Sequence, residues 1–152
     1  MKIAMGADHA GYELKEKIKA RLASQGFSIT DEGTNSTDRV DYPEFAQKVA
    51  HDVAGHRADF GVVVCGSGIG MAIAANKVAG IRATTATSVI EAQLGREHND
   101  ANVLSIGARL LDESRAAEIV DAFLTTPFAH GRHTQRVEKI AEIEKEEARS
   151  RR

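Results

Sequence analysis

The chain has 152 residues, a formal net charge of −2, no Trp and a single cysteine. That length suits one domain with a core of its own; near-neutrality and scarce aromatics give no reason to expect nucleic acid or an anionic membrane as partner. A lone Cys65 makes no internal disulfide, the N-terminal apolar run stops at Asp8-His9, and no window approaches the roughly 18 apolar residues of a membrane span, so the expectation is a cytoplasmic protein without signal peptide.

Lys2–Ala7 reads as a short buried strand. Gly11–Gln25 follows as an amphipathic helix, with Leu14, Ile18 and Leu22 spaced by four and Gly26 placed to close it. Phe27–Asp31 is a weaker strand and Thr34–Tyr42 an irregular polar stretch. Pro43 opens a helix that reaches about Ala54. Phe60–Cys65 is the cleanest buried strand, followed by the glycine-rich turn Gly66–Gly70 and a helix over Met71–Asn76. Ile81–Ala86 is a strand, Ser88 caps a helix that ends about Glu97, and Val103–Ala108 is a fifth strand. A helix over Glu113–Leu124 ends before Pro127, and a last one starts about Arg132. Strands alternating with helices predict an α/β fold: a three-layer α/β/α Rossmann-like domain with a five-stranded parallel sheet and an extra C-terminal helix. No repeat or linker divides residues 1–152. The charged stretch 138–152 reads as a solvated helix with a frayed end, with a helix reaching over a partner subunit as the alternative.

Open parallel sheets bind ligands beyond the carboxyl ends of their strands. Asp8-His9 follows the first strand, and Cys65-Gly66-Ser67-Gly68-Ile69-Gly70 follows the third. His98-Asn99-Asp100 is expected in a loop on that same edge, just before the fifth strand. The glycine turn lets backbone N–H groups approach an anion beside a helix N-terminus. Its spacing is wrong for a dinucleotide fingerprint, it lacks the Lys-Ser/Thr of a P-loop, and Met71 stands where a cysteine phosphatase loop needs Arg. Cys65 is then either a small residue finishing an apolar strand or a reactive thiol; the adjoining turn favours the thiol, since such surroundings favour a thiolate. His9 and His98 fall in predicted active-end loops, whereas His51 and His56 belong to a helix and its end. His130 and His133 are three apart, but no Cys or carboxylate accompanies them closely, so no metal site is expected. Arg132 and Arg136 share a helix face and suit a phosphate monoester, or are a solvated pair.

Taken together these segments carry a resemblance. Met5-Gly6-Ala7-Asp8-His9-Ala10-Gly11, Asp41-Tyr42-Pro43, the glycine turn running into Ala74-Ala75-Asn76-Lys77, Gly80-Ile81-Arg82-Ala83, His98–Leu104, Gly107-Ala108-Arg109 and Gly131–Val137 occur in an order that resembles the ribose-5-phosphate isomerase B and galactose-6-phosphate isomerase family over nearly the whole chain. The resemblance implies aldose–ketose isomerisation of a sugar phosphate without cofactor or metal. It implies Cys65 as the base moving a proton between C1 and C2, with Ser67 and the amides of Gly66, Gly68, Ile69 and Gly70 holding the enediolate oxygens. His98 and Asp41 would open the furanose ring, with Tyr42 near the ring oxygen. Asp8 and Asn99 would bind hydroxyls, and His9, Arg109, Arg132 and Arg136 the phosphate. It further implies a homodimer with shared sites, the partner donating His98, Asn99 and Arg109, and leaves open whether dimers pair into tetramers. Ser67 stands where relatives often carry Thr, and Ala7 where Cys is common. Relatives that replace the cysteine use a Glu at the end of the turn, where this chain has Met71. The alternatives are another sugar phosphate (allose 6-phosphate, galactose 6-phosphate or a tetrose phosphate) or a non-catalytic phosphate- or nucleotide-binding module on the same fold.

Overall fold

The computed structural model describes residues 1–152. Its elements run β1 (Lys2–Ala7), α1 (Tyr12–Ser24), β2 (Ser28–Asp31), α2 (Tyr42–Ala54), β3 (Phe60–Cys65), α3 (Ile69–Ala75), β4 (Ala83–Thr85), α4 (Val89–Asn99), β5 (Val103–Gly107), α5 (Glu113–Thr125) and α6 (Arg132–Ser150). All strands are parallel, in the order β2-β1-β3-β5-β4. The expected α/β/α architecture and C-terminal helix are therefore present.

The two faces of the sheet bury different helices. On one face Ile3, Met5, Val62, Val64, Leu104 and Ile106 pack against Leu14, Ile18 and Leu22 of α1 and Ile119, Val120 and Phe123 of α5. On the other, Ala4, Val63, Cys65 and Val103 meet Phe45, Ala46, Val49 and Val53 of α2 and Met71 and Ala75 of α3. β1, β3 and β5 are apolar at nearly every position because they are covered on both sides. Side chains alternate between the faces, so Val64 and Cys65 at the end of β3 face opposite helix layers.

Local chemistry sets the boundaries. Ser88 and Glu91 form a reciprocal capping box at the start of α4, as its sequence predicts. α3 begins two residues earlier than expected, because Gly68 adopts a left-handed conformation (φ +79°) and turns the chain there. β4 is shorter than the expected 81–86 stretch, because Arg82 N–H pairs with the Asn102 side chain in place of a strand neighbour. α4 runs to Asn99, which puts His98 in its last turn and not in a loop.

α6 is largely solvated; His133 is its one buried residue. Its middle docks on its own chain: Ile140 and Ile143 line a groove with Ile81 and Ala83, and the Glu144 carboxylate accepts from Gly80 N–H at 2.9 and 3.0 Å. No helix is long and apolar enough to cross a membrane.

A polar knot ties α1 to β2. Lys15 has no solvent exposure; its ammonium donates to Asp31 and to the Thr34 carbonyl, both at 2.7 Å. Burial pushes the Asp31 carboxyl up, but donation from Lys15, Lys19 and the Gly33 amide outweighs it and holds the group below the usual carboxylate range. A depressed folded-state pKa stabilises the fold fully above the unfolded value, about 3.9, and the contribution fades as pH falls through the folded one. Urea unfolding at pH values from about 6 downward should therefore show wild type losing stability below about pH 4 more steeply than Asp31→Asn. Equal acid-side slopes would refute this role.

Candidate active site

β1 and β3 are neighbours whose onward connections leave in opposite directions, β1 to β2 at one edge and β3 towards β5. This is the switch point at which open α/β sheets form a crevice. The carboxyl ends of these two strands deliver Asp8 and Cys65 into a cleft of about 550 Å³, also lined by Tyr42, Ser67, Gly70 and Arg109, with His9 next to Asp8 in the chain.

Each residue there is held by the local fold. Buried Asp8 accepts from Gly11 N–H at 3.0 Å, and His9 Nδ1 lies 3.2 Å from the Val40 carbonyl and amide. Asp41 is the exposed N-cap residue of α2, with no capping hydrogen bond from its side chain. Tyr42 lays its ring over Gly70, where a Cβ would stand 2.6 Å from the ring; only glycine permits this approach. Cys65 is buried, and Gly68 N–H donates to its Sγ at 3.1 Å. Ser67 Oγ accepts from Ile69 N–H at 3.2 Å. The amides of Gly66, Ser67 and Gly70 make no hydrogen bond within the chain. The result is a thiol facing a crescent of unpaired backbone donors, an arrangement suited to charge developing on a substrate oxygen.

Arg109 differs from expectation. It was expected to come from a partner subunit, yet its guanidinium lies against Gly66 of its own chain, about 3.0 Å from where a Cβ would sit. The tight turn after β5, in which Arg109 N–H donates to the Gly66 carbonyl, carries it there.

For His98 and Asn99 there are two expectations, a loop on the Cys65 edge of their own chain and, from the resemblance, donation by a partner. The first is not met, since α4 delivers them to the amino ends of the strands. Gly61 N–H, next to the start of β3, donates to Asn102 just beyond them, whereas Cys65 pairs with Gly107 at the other end of β5. A five-residue strand separates the two ends by about 13–17 Å. His98 meets the start of α6 instead. Its ring stacks on that of His133, centroids 4.3 Å apart and planes 12° apart, and Arg132 and Arg136 bear on His133. Burial lowers the His133 pKa below that of a free imidazole; His98, Arg132 and Arg136 lower it further, against a smaller opposing effect of Glu97. Neither Arg132 nor Arg136, nor Arg109, forms an ion pair in the chain. The expected site residues thus fall into two groups: Asp8, His9, Asp41, Tyr42, Cys65–Gly70 and Arg109 in one place, and His98, Asn99, Arg132 and Arg136 in another. His133, weighed in the sequence only as a metal ligand, joins the second group.

A family model described as ribose/galactose isomerase matches residues 3–140. The chain belongs to this isomerase family. Among curated relatives of this family member, "Ribose-5-phosphate isomerase B" of Escherichia coli is 50% identical over 94% of the chain and 96% of its own length. Among solved structures, ribose-5-phosphate isomerase B of Clostridium thermocellum is 49% identical with a TM-score of 0.95, covering 96% of this chain and 99% of that one. The Mycoplasma genitalium enzyme, solved with bound ribulose 5-phosphate, is 40% identical with a TM-score of 0.91, covering 95% and 97%.

Proposed function

We propose that this isomerase interconverts ribose 5-phosphate and ribulose 5-phosphate through a cis-enediolate, with Cys65 as the base. The observation that carries the reading is the Cys65 thiol at the β1/β3 switch point, facing the unpaired amides of Gly66, Ser67 and Gly70. Identity of 50% to the E. coli isomerase over nearly its full length supports the choice of substrate.

The route divides between the two groups of residues. His98 and Asp41 open the furanose ring: a proton leaves the anomeric hydroxyl, another reaches the ring oxygen, and the C1–O bond to the ring breaks. Tyr42 lies near that oxygen. The Cys65 thiolate then removes the proton from C2. The electron pair forms the C1–C2 double bond and moves the carbonyl electrons onto O1. Ser67 and the glycine-turn amides hold the charged oxygen, each such donor contributing about 3–4 kcal/mol to the transition state. Return of the proton to C1, with transfer of the O2 proton to O1, leaves the C2 ketone. Asp8 and Asn99 hold hydroxyls; His9, Arg109, Arg132 and Arg136 hold the phosphate. Nothing external is oxidised or reduced, so the route calls for no nicotinamide. A lone working thiol suits a reducing, cytoplasmic setting.

Both groups of residues must touch one small sugar, and an acid or base acts within about 3 Å of its proton. A separation of about 13–17 Å within one chain forbids that, so the working unit is a homodimer in which the His98 group of one copy completes the Cys65 cleft of the other, twice over by symmetry. The exposed apolar side chains of Ile69, Ile73 and Leu110 at the cleft rim suit burial against such a partner.

Turnover measured on ribose 5-phosphate, allose 6-phosphate, galactose 6-phosphate and erythrose 4-phosphate tests the substrate. Ribose 5-phosphate should give the highest kcat/KM, by about tenfold or more given the usual worth of pocket fit. A hexose phosphate turned over faster would reassign the substrate within the family, and no turnover of any would leave a binding module.

A further inference from the structure

His98 carries much of the proposed chemistry, yet little in its own side chain fixes it. Of the six histidines, only His9 has a ring nitrogen in a hydrogen bond. The broad torsion about the bond to an imidazole leaves its plane free unless a neighbour sets it. The neighbour is His133, parallel to His98 within 12° at 4.3 Å and, unlike His98, buried. Gly131 and His130, both at positive φ (56° and 57°), turn the chain into α6, and His133 N–H donates back to the His130 carbonyl at 3.1 Å. The His133 backbone is thus fixed at the start of α6, and its ring is buried with one face covered by His98.

We propose that His133 is a positioning residue: its buried ring fixes the plane in which His98 presents its nitrogens to the sugar ring. The proposal rests on the reading of His98 as a ring-opening group. The charged and titratable groups acting on His133 are Glu97 and His98 from α4 and Arg132 and Arg136 from α6. Burial and these cations disfavour the charged form of His133, which favours the close parallel approach of the two rings. His133 also lies between the two phosphate-holding arginines in the sequence, so one turn of helix ties the plane of the ring-opening group to the position of the phosphate.

The test compares His133→Phe, which keeps a flat ring without nitrogens, with His133→Leu, which fills the volume without a plane, each alone and in a His98→Ala background. Thermal unfolding verifies that all variants fold. With ribose 5-phosphate, His133→Leu should lower kcat about 10–100-fold, the scale of a misplaced catalytic group, with KM within about threefold of wild type. His133→Phe should restore kcat to within about threefold of wild type, and in the His98→Ala background His133→Leu should cost nothing further. A folded His133→Leu with wild-type kcat, a His133→Phe as impaired as His133→Leu, or the same loss with and without His98 would overturn the role of His133 while leaving the isomerase reading intact. An inactive wild type would instead remove that reading, and this proposal with it.

Discussion

Cys65→Ala should leave a folded protein whose turnover of ribose 5-phosphate falls about 10²–10⁴-fold, the usual worth of a positioned acid–base group. The fold should tolerate the change. The side chain is small, and deleting one sulfur from the α2–α3 face of the core is expected to cost about 1 kcal/mol. The neighbours of the thiol have other engagements: Met71, at the end of the glycine turn, is fully buried and apolar, Ser67 accepts from the Ile69 amide, and the Asp8 carboxylate accepts from the Gly11 amide. Cys65→Ser sharpens the test: a hydroxyl keeps the volume and still accepts from Gly68 N–H, but does not ionise near neutral pH, so turnover should fall nearly as far. KM should change less than kcat in both variants, because in the proposed route the thiol acts on C1 and C2 and not on the phosphate. A folded Cys65→Ala that retains more than about a tenth of wild-type turnover would remove Cys65 from the role of base.

Much of this was legible in the sequence. β1 and β3 were readable because both are covered on two faces and hence continuously apolar. The start of α4 was readable because Ser88 and Glu91 satisfy each other locally. The cleft was readable because the carboxyl end of a strand in an open parallel sheet is a fixed location once the strand is known. The edge at which His98 lies follows from topology and not from where α4 ends: a residue just ahead of β5 in an all-parallel sheet lies at its amino edge, so His98 cannot share the carboxyl edge with Cys65 of its own chain. Arg109 is a different case: sequence places it after β5 but does not say that the turn there folds back on Gly66. The His98–His133 stack joins residues 35 positions apart on different helices, a juxtaposition made by the docking of α6 on α4 and invisible to any local pattern.

The separation of the two residue groups makes the second large prediction, and mixing two inactive variants measures it. His98→Ala, like Cys65→Ala, should be nearly inactive, although His98 lies at the far end of the sheet from the thiol of its own chain. In a heterodimer of the two variants, one site combines an intact Cys65 with an intact His98 from the other chain, while the second site lacks both. Each heterodimer should therefore show about half of wild-type activity by symmetry. After random exchange of equal amounts, half of the dimers are mixed, so the sample should recover about a quarter of the wild-type rate. Subunit exchange is followed independently by mass spectrometry of differently tagged chains. Activity rising in step with heterodimer content is the result this account predicts; complete exchange with no recovered activity would contradict a site shared between two copies.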